Sequence, residues 1–165
     1  MNMKLNKLKY YNQNKKVYGD FLHADFAKIK IPEGQIEYHK KNFQKYFKLK
    51  KKDFKNKEIF DTGAGAGIHS AILSFMQAKV TAVDLSSENL KRIRIIKKRY
   101  KLSKLKCFKH DLLKPIKNKK TFDLISIHNW IQHTPNPYEV IKNLSKKIKI
   151  NGKIYISCYQ TNTFR

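Results

Sequence analysis

Apolar positions along this chain change period twice. Residues 1–31 scatter Tyr10, Tyr18, Phe21 and Phe26 among lysines, which suits one or two short helices. In IPEGQIEYHKKNFQKYFKL the spacing sharpens: Ile36, His39 or Lys40, Phe43 and Phe47 recur at helical intervals behind Pro32 and Glu33, predicting a helix over 32–49. A lysine-rich connection, 50–57, is expected to be a solvated loop. From residue 58 short apolar runs alternate with helical stripes. Strands are predicted at 58–61, 79–83, up to Lys109, at 122–127 and in KIYISCYQ. Helices are predicted in GIHSAILSFMQ, with Ile68, Ala71, Ile72 and Phe75 as its stripe, in SSENLKRIRIIKKRYKL, capped by Ser86 or Ser87, and in NPYEVIKNLSKKIK, where Pro137 fits the first helical position. Asn151 and Gly152 are expected to turn the chain into the fifth strand.

Such alternation calls for parallel strands joined by right-handed crossovers, hence an α/β, Rossmann-like, doubly wound sheet in three layers. Ligands of these sheets bind beyond the carboxyl ends of the strands, so the residues just after each strand carry the chemistry. After the first strand come Asp61 and FDTGAGAGIHS, with Gly63, Gly65 and Gly67 spaced two apart. Glycine permits positive φ and lets a ligand touch the backbone, while amides at the following helix start favour electron-rich groups. A dinucleotide fingerprint would need glycine at 68, which is Ile68, so a nicotinamide cofactor is disfavoured. Asp84, after the second strand, suits either the two hydroxyls of a ribose or a helix cap. Asp111 and Leu112, after the third, offer an acceptor for a purine amine and an apolar face, or ordinary turn chemistry.

Composition narrows the classes. A length of 165 residues suits one domain, and 41% hydrophobic content argues against disorder despite a net charge of +25. All but four of the 37 basic residues are lysine, spread along nearly the whole length. This favours a general surface bias over a built polyanion site, and leaves an RNA-directed role, as an enzyme modifying RNA or as an RNA-binding protein, as the alternative function. Cys107 and Cys158 lie in apolar segments without metal-ligand spacing, so reduced core thiols are expected. Neither a signal-peptide core nor an apolar run near 20 residues occurs, which points to a soluble, cytoplasmic chain.

Taken in order, EIFDTGAGAGIHS, VTAVDLSSENL, CFKHDLL, FDLISIHNWIQHTPNP and KINGKIYIS resemble the successive motifs of class I S-adenosylmethionine-dependent methyltransferases. The last two look like the small-molecule branch, which includes quinone-precursor enzymes. The resemblance implies S-adenosyl-L-methionine as cofactor and a small-molecule or lipid-like methyl acceptor. Asp61 and the backbone of Gly63, Ala64, Gly65 and Gly67 would hold the methionine end, Asp84 and Leu85 the ribose, and Asp111 and Leu112 the adenine. His128 would lie near the transferred methyl and is the candidate base, with His133 second. Residues 1–57 are expected to form a helical extension or lid, and 58–165 the cofactor-binding core. The family's sheet has two further strands, 6 and 7, that this chain lacks, so a C-terminally truncated fragment is expected. Neither oligomeric state nor the acceptor atom is legible.

Overall fold

The computed structural model describes residues 30–158. The short helices expected before residue 30 lie outside the described residues, as do 159–165. Helix α1, Glu33–Phe47, begins after Pro32 and ends where Lys48 enters the left-handed region, its N–H satisfying Gln44 and Lys45 carbonyls. Phe43 and Phe47, four apart, drive its buried face inward. The 50–57 connection departs from the expected solvated loop. Lys51–Phe54 makes a single 3₁₀ turn, and Phe54 is fully buried against the Phe47 ring, with centroids 6.1 Å apart. One aromatic among five lysines is enough to pin the segment, because its burial outweighs the solvation of neighbours that still reach water.

Five strands follow: β1 Glu58–Thr62, β2 Lys79–Asp84, β3 Lys106–Lys109, β4 Phe122–His128 and β5 Ile148–Ser157. They pair in parallel in the order β3-β2-β1-β4-β5. Strand order reverses beside β1, so the crevice between the β1 and β4 ends is the switch point of the sheet. The expected doubly wound, three-layer α/β architecture is thus the one observed.

Helices α1, α2 (Ile68–Phe75) and α3 (Ser87–Arg99) share one core with Ile59, Val80, Ala82 and Leu124. On the other face Phe60, Val83, Ile125 and Ile127 pack against α4, Pro137–Ser145, through Val140 and Leu144. No helix bridges β3 to β4. Residues 110–121 cross that face irregularly and bury Leu112 and Ile116. Caps form where the side chains allow: Ser86 accepts from Asn89 N–H, and Asn136 accepts from Glu139 N–H ahead of Pro137.

Two expectations about the last strand are corrected. Asn151–Gly152 is no turn ahead of β5 but a bulge within it: Phe122 pairs with Ile148, whereas Leu124 already pairs with Lys153. Asn151 takes φ 63° there. Cys158 is not a core thiol; it lies just beyond β5 and is exposed, while Cys107 in β3 is half-buried. β5 is an outer strand of the sheet among the described residues. No helix among the described residues is long and apolar enough to cross a membrane.

Candidate functional site

The glycine loop follows β1 directly, and each of its three glycines has positive φ: 58°, 53° and 83° for Gly63, Gly65 and Gly67. Their surroundings differ. A Cβ on Gly63 would sit 2.6 Å from the pyrrole carbons of Trp130, and one on Gly67 would sit 2.5 Å from Ile93 Cγ1 of α3. These two positions are bare because protein packs on them. Among the described residues, a Cβ on Gly65 would meet nothing within 4 Å. Of the three, Gly65 alone turns its bare face to open space, where a ligand can reach the backbone.

Asp84, the last residue of β2, is 7% exposed and binds this loop directly. Its Oδ2 accepts from Gly65 N–H at 2.9 Å, and its Oδ1 accepts from Ser86 N–H at 2.8 Å and Asn89 Nδ2 at 3.2 Å. Burial raises the pKa of this carboxyl, and the N–H donors from Ser86, Gly65 and Asn89 act the other way. One carboxylate thereby holds the open glycine and the start of α3 in register. Leu85 beside it is half-buried.

Asp61 lies beneath the loop. At 1% exposure it faces α2, where Ser70 Oγ donates to its Oδ2 at 2.5 Å. Burial lifts its pKa to about 6; the Ser70 bond works against the rise and the nearby Asp84 adds to it. Ala64 donates its N–H to Val83 O, locking the loop to β2. Beyond β3, Asp111 Oδ1 accepts from Leu113 N–H at 3.0 Å, and His110 N–H bonds Asp84 O, so Asp111 stands beside the β2 end. Leu112 is 6% exposed and belongs to the second core cluster, which leaves Leu113, only partly buried, as the more accessible apolar side chain of that turn.

At the β4 end His128 is half-buried in a row of rings. His69 of α2 meets it edge to face with centroids 4.3 Å apart, His39 of α1 meets His69 at 4.6 Å, and Tyr155 of β5 lies 6.2 Å from His128. Burial lowers the pKa of all three histidines, with His69 brought to about 3 by burial and then by His128 and His39. The row is therefore a neutral, aromatic wall. His133 stands apart, exposed in the 3₁₀ turn Ile131–His133. The stretch from His133 to Pro137 serves to start α4.

Asp61, the loop, Asp84, Asp111 and His128 thus converge on one end of the sheet, across adjacent strands. A family model described as a methyltransferase domain matches residues 53–163. The chain belongs to the methyltransferase-domain family. It is 33% identical over 126 residues to the ubiquinone biosynthesis O-methyltransferase of Pelagibacter ubique, covering 74% of this chain and 51% of that protein. To the enzyme of the same name from Colwellia psychrerythraea it is 29% identical, covering 65% and 44%. The chain spans about half the length of these curated relatives. Among solved structures it resembles the PH0226 protein of Pyrococcus horikoshii, with TM-score 0.64 and 23% identity over 86% of this chain and 63% of that one. It also resembles coclaurine N-methyltransferase bound to N-methylheliamine and SAH, with TM-score 0.61 and 16% identity over 76% and 36%. These two likenesses bear on fold.

Sequence reasoning about this methyltransferase domain missed Ser70, Trp130, Asn129 and Ser157. The rule of inspecting strand ends reaches the last three. Trp130 and Asn129 follow β4 and Ser157 closes β5. Ser70 was hidden because its partner Asp61 reads as a residue that faces a ligand, not a helix.

Proposed function

We propose that the chain is the cofactor-binding part of an S-adenosyl-L-methionine-dependent methyltransferase acting on a small-molecule or lipid-like acceptor. The observation that carries the reading is Gly65, whose bare, positive-φ backbone faces open space while its N–H is held by Asp84 from the neighbouring strand. A second feature fits the methionine end: Trp130 Nε1, against Gly63, is buried without a hydrogen-bond partner among the described residues and is a donor suited to a carboxylate. Both agree with the ubiquinone O-methyltransferases named among the relatives.

The loop Gly63, Ala64, Gly65 and Gly67 borders the methionine end, with Gly65 as its open contact, Gly63 and Gly67 packed by Trp130 and Ile93, and Asp61 bracing it from below. Asp84 and Leu85 take the ribose, and Asp111 with the Leu112–Leu113 turn, through the more accessible Leu113, the adenine. Of the N-terminal extension, the described part brings α1 against the site through His39, which packs on His69 beside His128, and the strands from residue 58 onward supply the cofactor-binding core. When bound, S-adenosylmethionine supplies a methyl carbon on a positively charged sulfur, and transfer leaves the C–S electron pair on a neutral thioether. The protein's own work is to align an acceptor oxygen, exclude water with the aromatic wall, and take the acceptor's proton at His128. Keeping His128 neutral near pH 7, as its burial does, keeps that lone pair available.

Titration calorimetry with S-adenosylmethionine on wild type and Asp84→Ala tests the reading. Heat with wild type and at least tenfold weaker binding by the variant are expected. No heat from a folded wild-type sample would overturn it.

A further inference from the structure

Three polar side chains close a ring of hydrogen bonds at the β4 end. His128 Nδ1 lies 3.1 Å from Ser157 Oγ, Ser157 Oγ lies 2.7 Å from Asn129 Oδ1, and Asn129 Nδ2 lies 3.4 Å from His128 Nε2. A separation of 2.7 Å is the usual length of an O–H···O bond and short for N–H···O, so the single Ser157 proton goes to Asn129 Oδ1. Ser157 Oγ then offers only lone pairs. The Asn129 N–H, shared with Ser157 O, reaches Oγ at 3.2 Å, the Tyr155 hydroxyl also bonds Ser157, and His128 Nδ1 faces Oγ at 3.1 Å with no Ser157 proton left to receive. His128 must donate from Nδ1, and its lone pair stands on Nε2, opposed only by the long amide contact.

The backbone is shaped for this ring. His128 and Ser157 are register partners on β4 and β5, Asn129 N–H also donates to Ser157 O at 3.0 Å, and Asn129 adopts φ 54°, which asparagine tolerates better than most residues.

We propose that Ser157 and Asn129 are positioning residues that hold His128 in its Nδ1–H tautomer and present Nε2 as the base for an acceptor hydroxyl. The proposal rests on the methyltransferase reading above and deepens it by naming the residues that fix which nitrogen of His128 meets the acceptor hydroxyl. On approach the hydroxyl displaces the Asn129 amide from Nε2. Its O–H bond breaks, the proton passes to Nε2, and the pair left on oxygen forms the new O–C bond. The groups facing His128 from other elements are His69 of α2, His39 of α1 and Tyr155 of β5; burial lowers the pKa of both histidines and raises that of the Tyr155 phenol, so each favours its neutral form. No fixed charge therefore competes with the Ser157–Asn129 pair in choosing the tautomer.

Nitrogen NMR of ¹⁵N-histidine-labelled protein reads the tautomer, with His128 assigned by the signal lost in His128→Gln. At pH 7.5 the wild type is expected to show a protonated Nδ1 and a lone-pair Nε2. Ser157→Ala is expected to lose that preference and move the proton to Nε2, while Ser157→Thr, which keeps the hydroxyl, retains it. An Nε2–H tautomer in wild type, or an unchanged tautomer in Ser157→Ala, would overturn the proposal. The wild-type spectrum decides by itself if the alanine variant does not fold. Calorimetry on the same samples separates the two failures: absent cofactor binding sinks the functional reading, whereas the wrong tautomer in a cofactor-binding protein sinks this inference alone.

Discussion

Asp61→Asn isolates one buried charge. Asp61 is 1% exposed, and its pKa stands at about 6 against an ordinary 3.8. At about 1.4 kcal/mol per pKa unit, the shift corresponds to about 3 kcal/mol. The folded pKa lies above the unfolded one, so the folded state holds this proton more tightly. The stabilisation is complete below about pH 3.8 and is lost as pH rises through about 6. Asparagine cannot ionise, and its Oδ1 can still accept from Ser70. The stability advantage of the variant over wild type should be small at pH 4 and grow to about 3 kcal/mol at pH 7.

His69 works in the opposite direction. Its folded pKa is lowered from 6.5 to about 3, so its stabilisation is present above pH 6.5 and is lost as pH falls toward 3. Between pH 4 and 6 the two groups oppose each other at about 1.4 kcal/mol per pH unit apiece. Wild type should vary little from this pair, whereas Asp61→Asn, left with His69 alone, should lose about 3 kcal/mol from pH 6 to 4. Urea unfolding followed by circular dichroism at pH 4, 5, 6 and 7 measures both chains, and the remaining titrating groups cancel in their difference. A difference that stays constant over this range, or is larger at pH 4 than at pH 7, would refute the assignment of a buried, proton-holding Asp61.

The glycines yield two further predictions. Gly63→Ala places Cβ 2.6 Å from the Trp130 ring at φ 58° and should destabilise the fold by about 2–4 kcal/mol; Trp130→Leu should recover at least about 1 kcal/mol in a double-mutant cycle. Trp130 is the sole tryptophan, so a shift in its emission in Gly63→Ala checks the contact directly. Gly65→Ala meets open space and should lower stability by only about 1–2 kcal/mol, from φ 53°, while weakening S-adenosylmethionine binding at least tenfold by calorimetry. Equal losses of affinity and stability at Gly63 and Gly65 would contradict the division of roles.

Much of this fold was legible because its signals are local. Period changes located β1 to β4 and the four helices within the described residues to within a few positions, since a buried strand flanked by helical stripes has few alternative foldings, whereas β5 begins at Ile148, ahead of the expected turn. The misreadings share a different cause. Phe54 was masked by the lysines around it, and residues 151 and 152 looked like a turn because asparagine and glycine accept φ values that a bulge demands as readily as a hairpin does. Cys158 looked buried because an apolar strand says nothing about whether a neighbour covers it.

The glycine loop shows where sequence reasoning runs out. Three glycines at equal spacing invite one explanation, a cradle for a ligand, and the spacing does identify the family. The structure divides them: Trp130 occupies the face of Gly63, Ile93 that of Gly67, and Gly65 alone is left open. Both occupants are distant in sequence, on the turn after β4 and on α3, and no local pattern announces them. The same holds for Ser157, which is ordinary as a strand-end serine until β4 and β5 bring it beside His128. Motif spacing locates a site because the strand ends must meet there. The packing of residues from other elements determines which position of the motif touches the ligand and which nitrogen of the histidine holds the proton.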